Sequence, residues 1–198
     1  MERIKEHFQR FTATCLSLAL SLLIASCGGS LYKVRPKVDA PIVGGKEVSA
    51  GGFTLRAVAL FMDEESQELF EANLPLAGLL PVRIDMSNES GSPLLFKHVH
   101  FRLRDGEGRE WKARSIKQTV SIILKTDEIY LYNPKARKKF EEDMSAHAFD
   151  TRASLDAGRH RRGLIFFQTP NNEQVANQHG LVLSIEGLPQ PIEIELIH

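Results

Sequence analysis

Pro81-Val82-Arg83-Ile84-Asp85-Met86-Ser87-Asn88 (residues 81–88) sets Val82, Ile84 and Met86 in alternation with Arg83, Asp85 and Ser87. Successive side chains of a strand point to opposite faces, so this stretch reads as a half-buried β-strand. It runs into Asn88-Glu89-Ser90-Gly91-Ser92-Pro93, a turn signal. Beyond the turn, Val99, Phe101 and Leu103 fall on one face, and His98, His100, Arg102 and Arg104 on the other. Asp105-Gly106-Glu107-Gly108 then marks a hairpin into Glu110-Trp111-Lys112-Ala113. Upstream, Phe53, Leu55, Ala57, Ala59 and Phe61 keep the same period; downstream, so do residues 180–186 and 192–197. Arg162–Gln168 (RGLIFFQ) is apolar on both faces, which predicts a central strand covered on both sides. Short strands separated by recurrent turns predict a mostly β chain, an antiparallel β-sandwich over 53–198.

Two stretches break the period. In Asp63–Asn73, Leu69 and Phe70 point to a short helix. Residues 115–150 are long for a sandwich loop. Within them Asn133 can cap a helix with Pro134 in its first turn, and Ala136, Phe140, Met144 and Ala148 form a stripe at four-residue spacing. The spacing predicts a helical insert near 133–148, packed on the sandwich edge where it covers unpaired strand groups.

Composition excludes several classes. The chain has 198 residues, room for one compact domain, with 25 Lys+Arg against 25 Asp+Glu. Zero net charge argues against a nucleic-acid partner, which normally meets a strongly basic domain. The 42% hydrophobic content argues against a disordered chain. Two cysteines make neither a disulfide-dense scaffold nor a four-thiolate zinc site.

The amino end carries Arg3, Lys5 and Arg10, followed by the uncharged run Phe11–Ser26 (FTATCLSLALSLLIAS). That run is shorter than the roughly 20 apolar residues a spanning helix needs. Its layout is that of a secretory signal, an N-terminal signal helix over 1–26. It closes on Ile24-Ala25-Ser26-Cys27-Gly28. This resembles the lipobox of bacterial lipoproteins, with Ile24 where Leu is commoner. The resemblance implies cleavage before Cys27, acylation of its sulfur and new amino group, and attachment to a lipid bilayer. An uncleaved anchor helix with an incidental cysteine is the alternative. On the lipoprotein reading Cys15 leaves with the signal, so no free thiol remains for a disulfide or a nucleophile. Loss of Arg3, Lys5, Arg10, Glu2 and Glu6 leaves 22 basic against 23 acidic residues. Gly28 in place of Asp after the cysteine implies, by analogy with lipoprotein sorting, the outer membrane. Residues 27–52 are rich in Gly, Pro, Ser and Ala, the composition of a flexible tether.

A second resemblance covers 79–196. Pro81–Asn88, the polar turn and Phe101–Gly106, then Asp156-Ala157-Gly158, Arg162–Phe167 and Pro170, are similar to the strand pattern of immunoglobulin-like domains in uncharacterised bacterial lipoproteins. It implies an immunoglobulin-like sandwich, without the paired cysteines of antibody domains, and says little about function.

Candidate chemistry is sparse. His98 and His100 have the spacing of some metal ligands, yet nothing nearby in sequence offers a third, and outward-facing polar residues explain them equally. Lys135, Arg137, Lys138 and Lys139 form a basic cluster able to meet anionic headgroups or a partner. Glu141, Glu142 and Asp143 stand four residues on and can pair with three of them, giving a solvated helix face instead. Arg159-His160-Arg161-Arg162 is a second basic run. No nucleophile elbow, zincin, phosphate-loop or dinucleotide pattern occurs. The expectation is therefore a non-catalytic lipid-anchored envelope lipoprotein without a cofactor, acting by protein interaction or envelope assembly. The alternative is a metal-binding or hydrolytic periplasmic protein using His98 and His100.

Overall fold

The computed structural model describes residues 31–37, 42–175 and 179–196. Its strands are β1 (Lys46–Ala50), β2 (Phe53–Ala59), β3 (Leu79–Asn88), β4 (His100–Arg104), β5 (Glu110–Arg114), β6 (Arg159–Gln168), β7 (Leu181–Glu186) and β8 (Ile192–Leu196). The helices are α1 (Asp63–Phe70), α2 (Ile116–Thr126) and α3 (Pro134–His147), with a 3₁₀ turn at Phe96–His98.

The alternation in the sequence becomes register. Leu55 lies opposite Met86, Ala57 opposite Ile84 and Ala59 opposite Val82, so β2 and β3 share one apolar face. All strand pairs are antiparallel, in the order β1-β2-β3-β6-β5-β4-β7-β8. This order folds over on itself. Strand β5 is the junction: it pairs with β4 at Glu110 and Trp111, and with β6 at Lys112 to Arg114. At the other side β1 and β8 meet through side chains, Lys46 Nζ lying 2.6 Å from Glu195 Oε2. Between the halves lies a core containing Leu55, Ile84, Met86, Leu103, Trp111 and Ile194.

A second core covers the outer face of β3 and β6. There Leu79, Leu164 and Phe166 meet Phe70 of α1, Val120 and Ile123 of α2, and Phe140 and Met144 of α3. Strand β6 is thus covered on both sides, Phe167 serving the first core and Phe166 the second. Each such side chain withdrawn from water contributes roughly 1.5–3 kcal/mol before entropy is counted. The helices begin where their caps dictate. Ser115 accepts from Gln118 N while Gln118 Oε1 accepts from Ser115 N, a reciprocal pair that starts α2. Asn133 Oδ1 accepts from the Lys135 and Ala136 amides to start α3.

Three expectations are corrected. The helical insert near 133–148 is one of three helices among the described residues, and it lies on the outer sheet face, because Phe140 and Met144 fill the gap left by the second apolar face of β6. Ala148 ends the helix in extended backbone instead of continuing its stripe. The flexible tether expected over 27–52 does not hold for its described residues: 46–50 form β1 against β2, and Tyr32 and Ile42 are buried. Its Gly51 and Gly52 are a tight turn with positive φ, which only glycine adopts freely. His98 closes the 3₁₀ turn and does not share the strand with His100. The expected signal helix over 1–26 lies outside the described residues.

Candidate functional site

Cys27 also lies outside the described residues, but the chain is fixed almost at once after it. Tyr32 stacks on Phe140 with ring centroids 4.6 Å apart and meets Tyr132 edge-on at 6.3 Å. Its hydroxyl donates to the Asp127 carboxylate. Burial, then this bond, raise the phenol well above its ordinary range. Lys33 N donates to Glu71 Oε2 at 3.1 Å and Arg35 N to the Leu69 carbonyl at 2.9 Å. The Arg35 carbonyl accepts from His147 Nε2 at 2.7 Å. Residues 31–37 therefore form a strap across the helical layer.

The four predicted basic residues sit along α3. Arg137 pairs with Glu141 at 2.9 Å, Lys138 with Glu142 at 3.7 Å and Lys139 with Asp143 at 2.9 Å. Arg137 also donates to Ser121 of α2 at 2.7 Å. Lys135 is exposed, with no ion-pair partner among the described residues. Surface pairs of this kind contribute little to stability, and they set a carboxylate beside three of the four cations. The second basic run serves the fold: Arg161 donates to the carbonyls of Asp150, Ala153 and Ser154, and Arg162 pairs with Asp85 at 2.5 Å.

His98 and His100 are both exposed. Among the described residues no group of three or more His, Cys, Asp or Glu comes together as a metal site. His100 instead borders a cavity of about 630 Å³ where β4 and β5 part. Their ladder holds only at Leu103↔Trp111 and Arg104↔Glu110, since β5 then turns to β6. Phe101, Phe149 and Ile165 line the opening, with Arg114, Ser115 and Asp150 around them. A concave apolar floor with a polar surround can receive a partner's side chain or a small amphipathic molecule.

Sequence reasoning missed a second cavity, about 260 Å³, between the strap, α1 and the β3–β6 face. Arg35, Lys37, Arg83, His147 and Arg162 line it, with Glu68 opposing. No spacing signal could reveal residues brought together from five distant segments. Burial, opposed by the Arg35 carbonyl and aided by Lys37 and Arg83, holds the His147 imidazole below its ordinary pKa. Among the described residues no helix is long and apolar enough to cross a membrane.

No family model matches this chain. No curated protein matches it either. Among solved structures it is similar to a conserved hypothetical protein from Bacillus anthracis, at 10% identity and a TM-score of 0.40, over 78% of this chain and 94% of that one. It is similar to the secreted protein MPT63 from Mycobacterium tuberculosis, at 11% identity and a TM-score of 0.38, over 80% and 99%. A third is an uncharacterised β-sandwich protein from Clostridium difficile, at 10% identity and a TM-score of 0.37, over 83% and 99%.

Proposed function

We propose that this chain is an envelope lipoprotein, acylated at Cys27 and held at the outer membrane, whose β-sandwich works as a non-catalytic interaction or assembly module. One observation carries the proposal: Cys27 of Ile24-Ala25-Ser26-Cys27 stands only four residues in sequence before Leu31, which lies at the surface of the fold, with Tyr32 buried in it. Four peptide steps reach at most about 14 Å. A domain this close in sequence to Cys27 suits a lipid carrier. The immunoglobulin-like strand pattern belongs to this proposal as its choice of sandwich type. The partner's side of the molecule is assigned to the β4–β5 cavity, and the cluster Lys135, Arg137, Lys138 and Lys139 to anionic groups, of a partner or of the bilayer.

Cys27→Ala tests the anchor. In cells fed labelled palmitate the variant should incorporate none, and the precursor should keep residues 1–26, a mass difference read directly on a gel or by mass spectrometry. Labelling and processing equal to wild type would overturn the proposal.

A further inference from the structure

The chain enters the described fold at a corner of distinctive surface chemistry. Leu31 is 61% exposed, Tyr130 80% and Leu131 99%. Leu31 adjoins Tyr32, Tyr130 and Leu131 immediately precede Tyr132, and the Tyr32 and Tyr132 rings meet at 6.3 Å, so the two segments that carry these exposed residues come together at one corner. Scattered apolar residues on a surface need no explanation; three gathered at one corner do. Their support is fixed. Ile129 and Tyr132 pack into the helical core and Tyr32 stacks on Phe140, so Tyr130 and Leu131 project from an anchored loop. Of the neighbouring carboxylates, Asp127 is engaged by the Tyr32 hydroxyl, while Glu128 stands exposed at the end of α2. Lys135 and Lys138 lie exposed on the first turns of α3, directly after this loop.

We propose that Leu31, Tyr130 and Leu131 form a docking corner that seats in the interfacial layer of the bilayer carrying Cys27, with Lys135 and Lys138 against anionic headgroups. This rests on the acylation of Cys27. The occupant follows from chain length. Leu31 stands four peptide steps from Cys27, so an acylated Cys27 holds Leu31 within about 14 Å of itself and this corner near lipid at all times. No other occupant has a comparable enforced proximity, which acts as a high effective concentration. The chemistry agrees. Tyrosine favours the membrane–water boundary, leucine gains by leaving water, and lysines gain near anionic lipid. The domain would then lie in one fixed attitude on the membrane, the corner down.

The test uses the full acylated protein in vesicles of phosphatidylethanolamine and phosphatidylglycerol containing bromine-labelled acyl chains. A polarity-sensitive fluorophore is attached through Leu131→Cys or, as a control, Leu95→Cys. Leu95 is also exposed and lies beside Phe96, which packs on Phe149 beyond the carboxyl end of α3. Both substitutions leave the cores intact. The Leu131 probe should shift to the blue and be quenched several-fold more than the Leu95 probe, and Tyr130→Glu should bring it back to the control level. Two aqueous probes on vesicle-bound protein would overturn the docking corner and leave the anchor standing. So would a blue shift without quenching that grows with protein density, which would assign the corner to a second copy. Protein that does not stay with the vesicles would overturn the acylation itself, and the corner with it.

Discussion

Asp105 shows how much one side chain in a turn can hold. Its Oδ1 accepts from the Glu107 and Arg109 amides at 3.1 and 2.9 Å, and its Oδ2 from Arg109 Nε at 2.9 Å and Trp111 Nε1 at 3.2 Å. Burial pushes the carboxyl up, but donors from Trp111 and from the Arg109 backbone and guanidinium outweigh it, and it titrates below the usual carboxylate range. A depressed folded-state pKa stabilises above the unfolded value, near 3.9, and that stability is lost as pH falls through the folded value. Asp105→Asn should therefore lower stability at neutral pH by about 1–3 kcal/mol and flatten the acid limb, both read from urea denaturation across pH. Equal acid limbs in the two proteins would contradict this. From sequence, Asp105-Gly106 was legible as a hairpin turn. That its carboxylate also satisfies the buried indole of Trp111 was not, because burial depends on how the whole turn folds under β4 and β5.

At the scale of elements, strands were more legible than helices. The alternation in 81–88 named β3 by its period of two, and the short doubly apolar run 162–168 named β6 as a strand covered on both sides. The stripe of Ala136, Phe140 and Met144 named α3 for a similar reason. Helix α2 went unread although Ser115 and Gln118 form a capping pair and Val120, Ile123 and Leu124 follow at helical spacing. Its place directly after β5, inside a stretch read as one long loop, hid it among loop residues. The junction between α3 and β6 depends on Gly163. A Cβ there would stand 2.4 Å from Phe149 Cα and 2.6 Å from the Ala148 carbonyl carbon. That close approach lets Phe149 N donate to the Leu164 carbonyl at 2.9 Å. Gly163→Ala should push residues 148–149 off the sheet, lower stability by about 1–3 kcal/mol and raise amide exchange at Phe149. An alanine variant with unchanged exchange there would show that the segment yields freely.

For the whole molecule, the strap ties the amino end of the fold to the far end of α3. His147 is buried, and Phe70 lies edge-on to its ring at 5.4 Å. Since a carbonyl only accepts, the bond to Arg35 requires Nε2 to carry the proton. A folded pKa below the unfolded one means folding favours the neutral ring. Its stabilisation is complete above the unfolded value, about 6.5, and declines as pH drops from there towards the folded value. The melting temperature of wild type should fall as pH drops below about 6.5, while His147→Gln should lose that part of the slope. Identical slopes would exclude His147 as its source. Nothing local in the sequence marked the strap, because Gly- and Pro-rich composition describes a free linker as well as one pinned by distant side chains.

The seam between β1 and β8 has its own consequence. These outermost strands touch through Lys46 and Glu195 and through Gly51 N donating to Gln190 Oε1 at 2.9 Å, with no ladder between them. If the proposed anchor at Cys27 holds, copies diffusing in a plane would collide sideways far more often than free molecules, and a bare strand margin would invite them to zip into filaments. The alternating glutamates of β8 and the charged start of β1 make that margin a poor template, so crowding in two dimensions need not end in polymerisation.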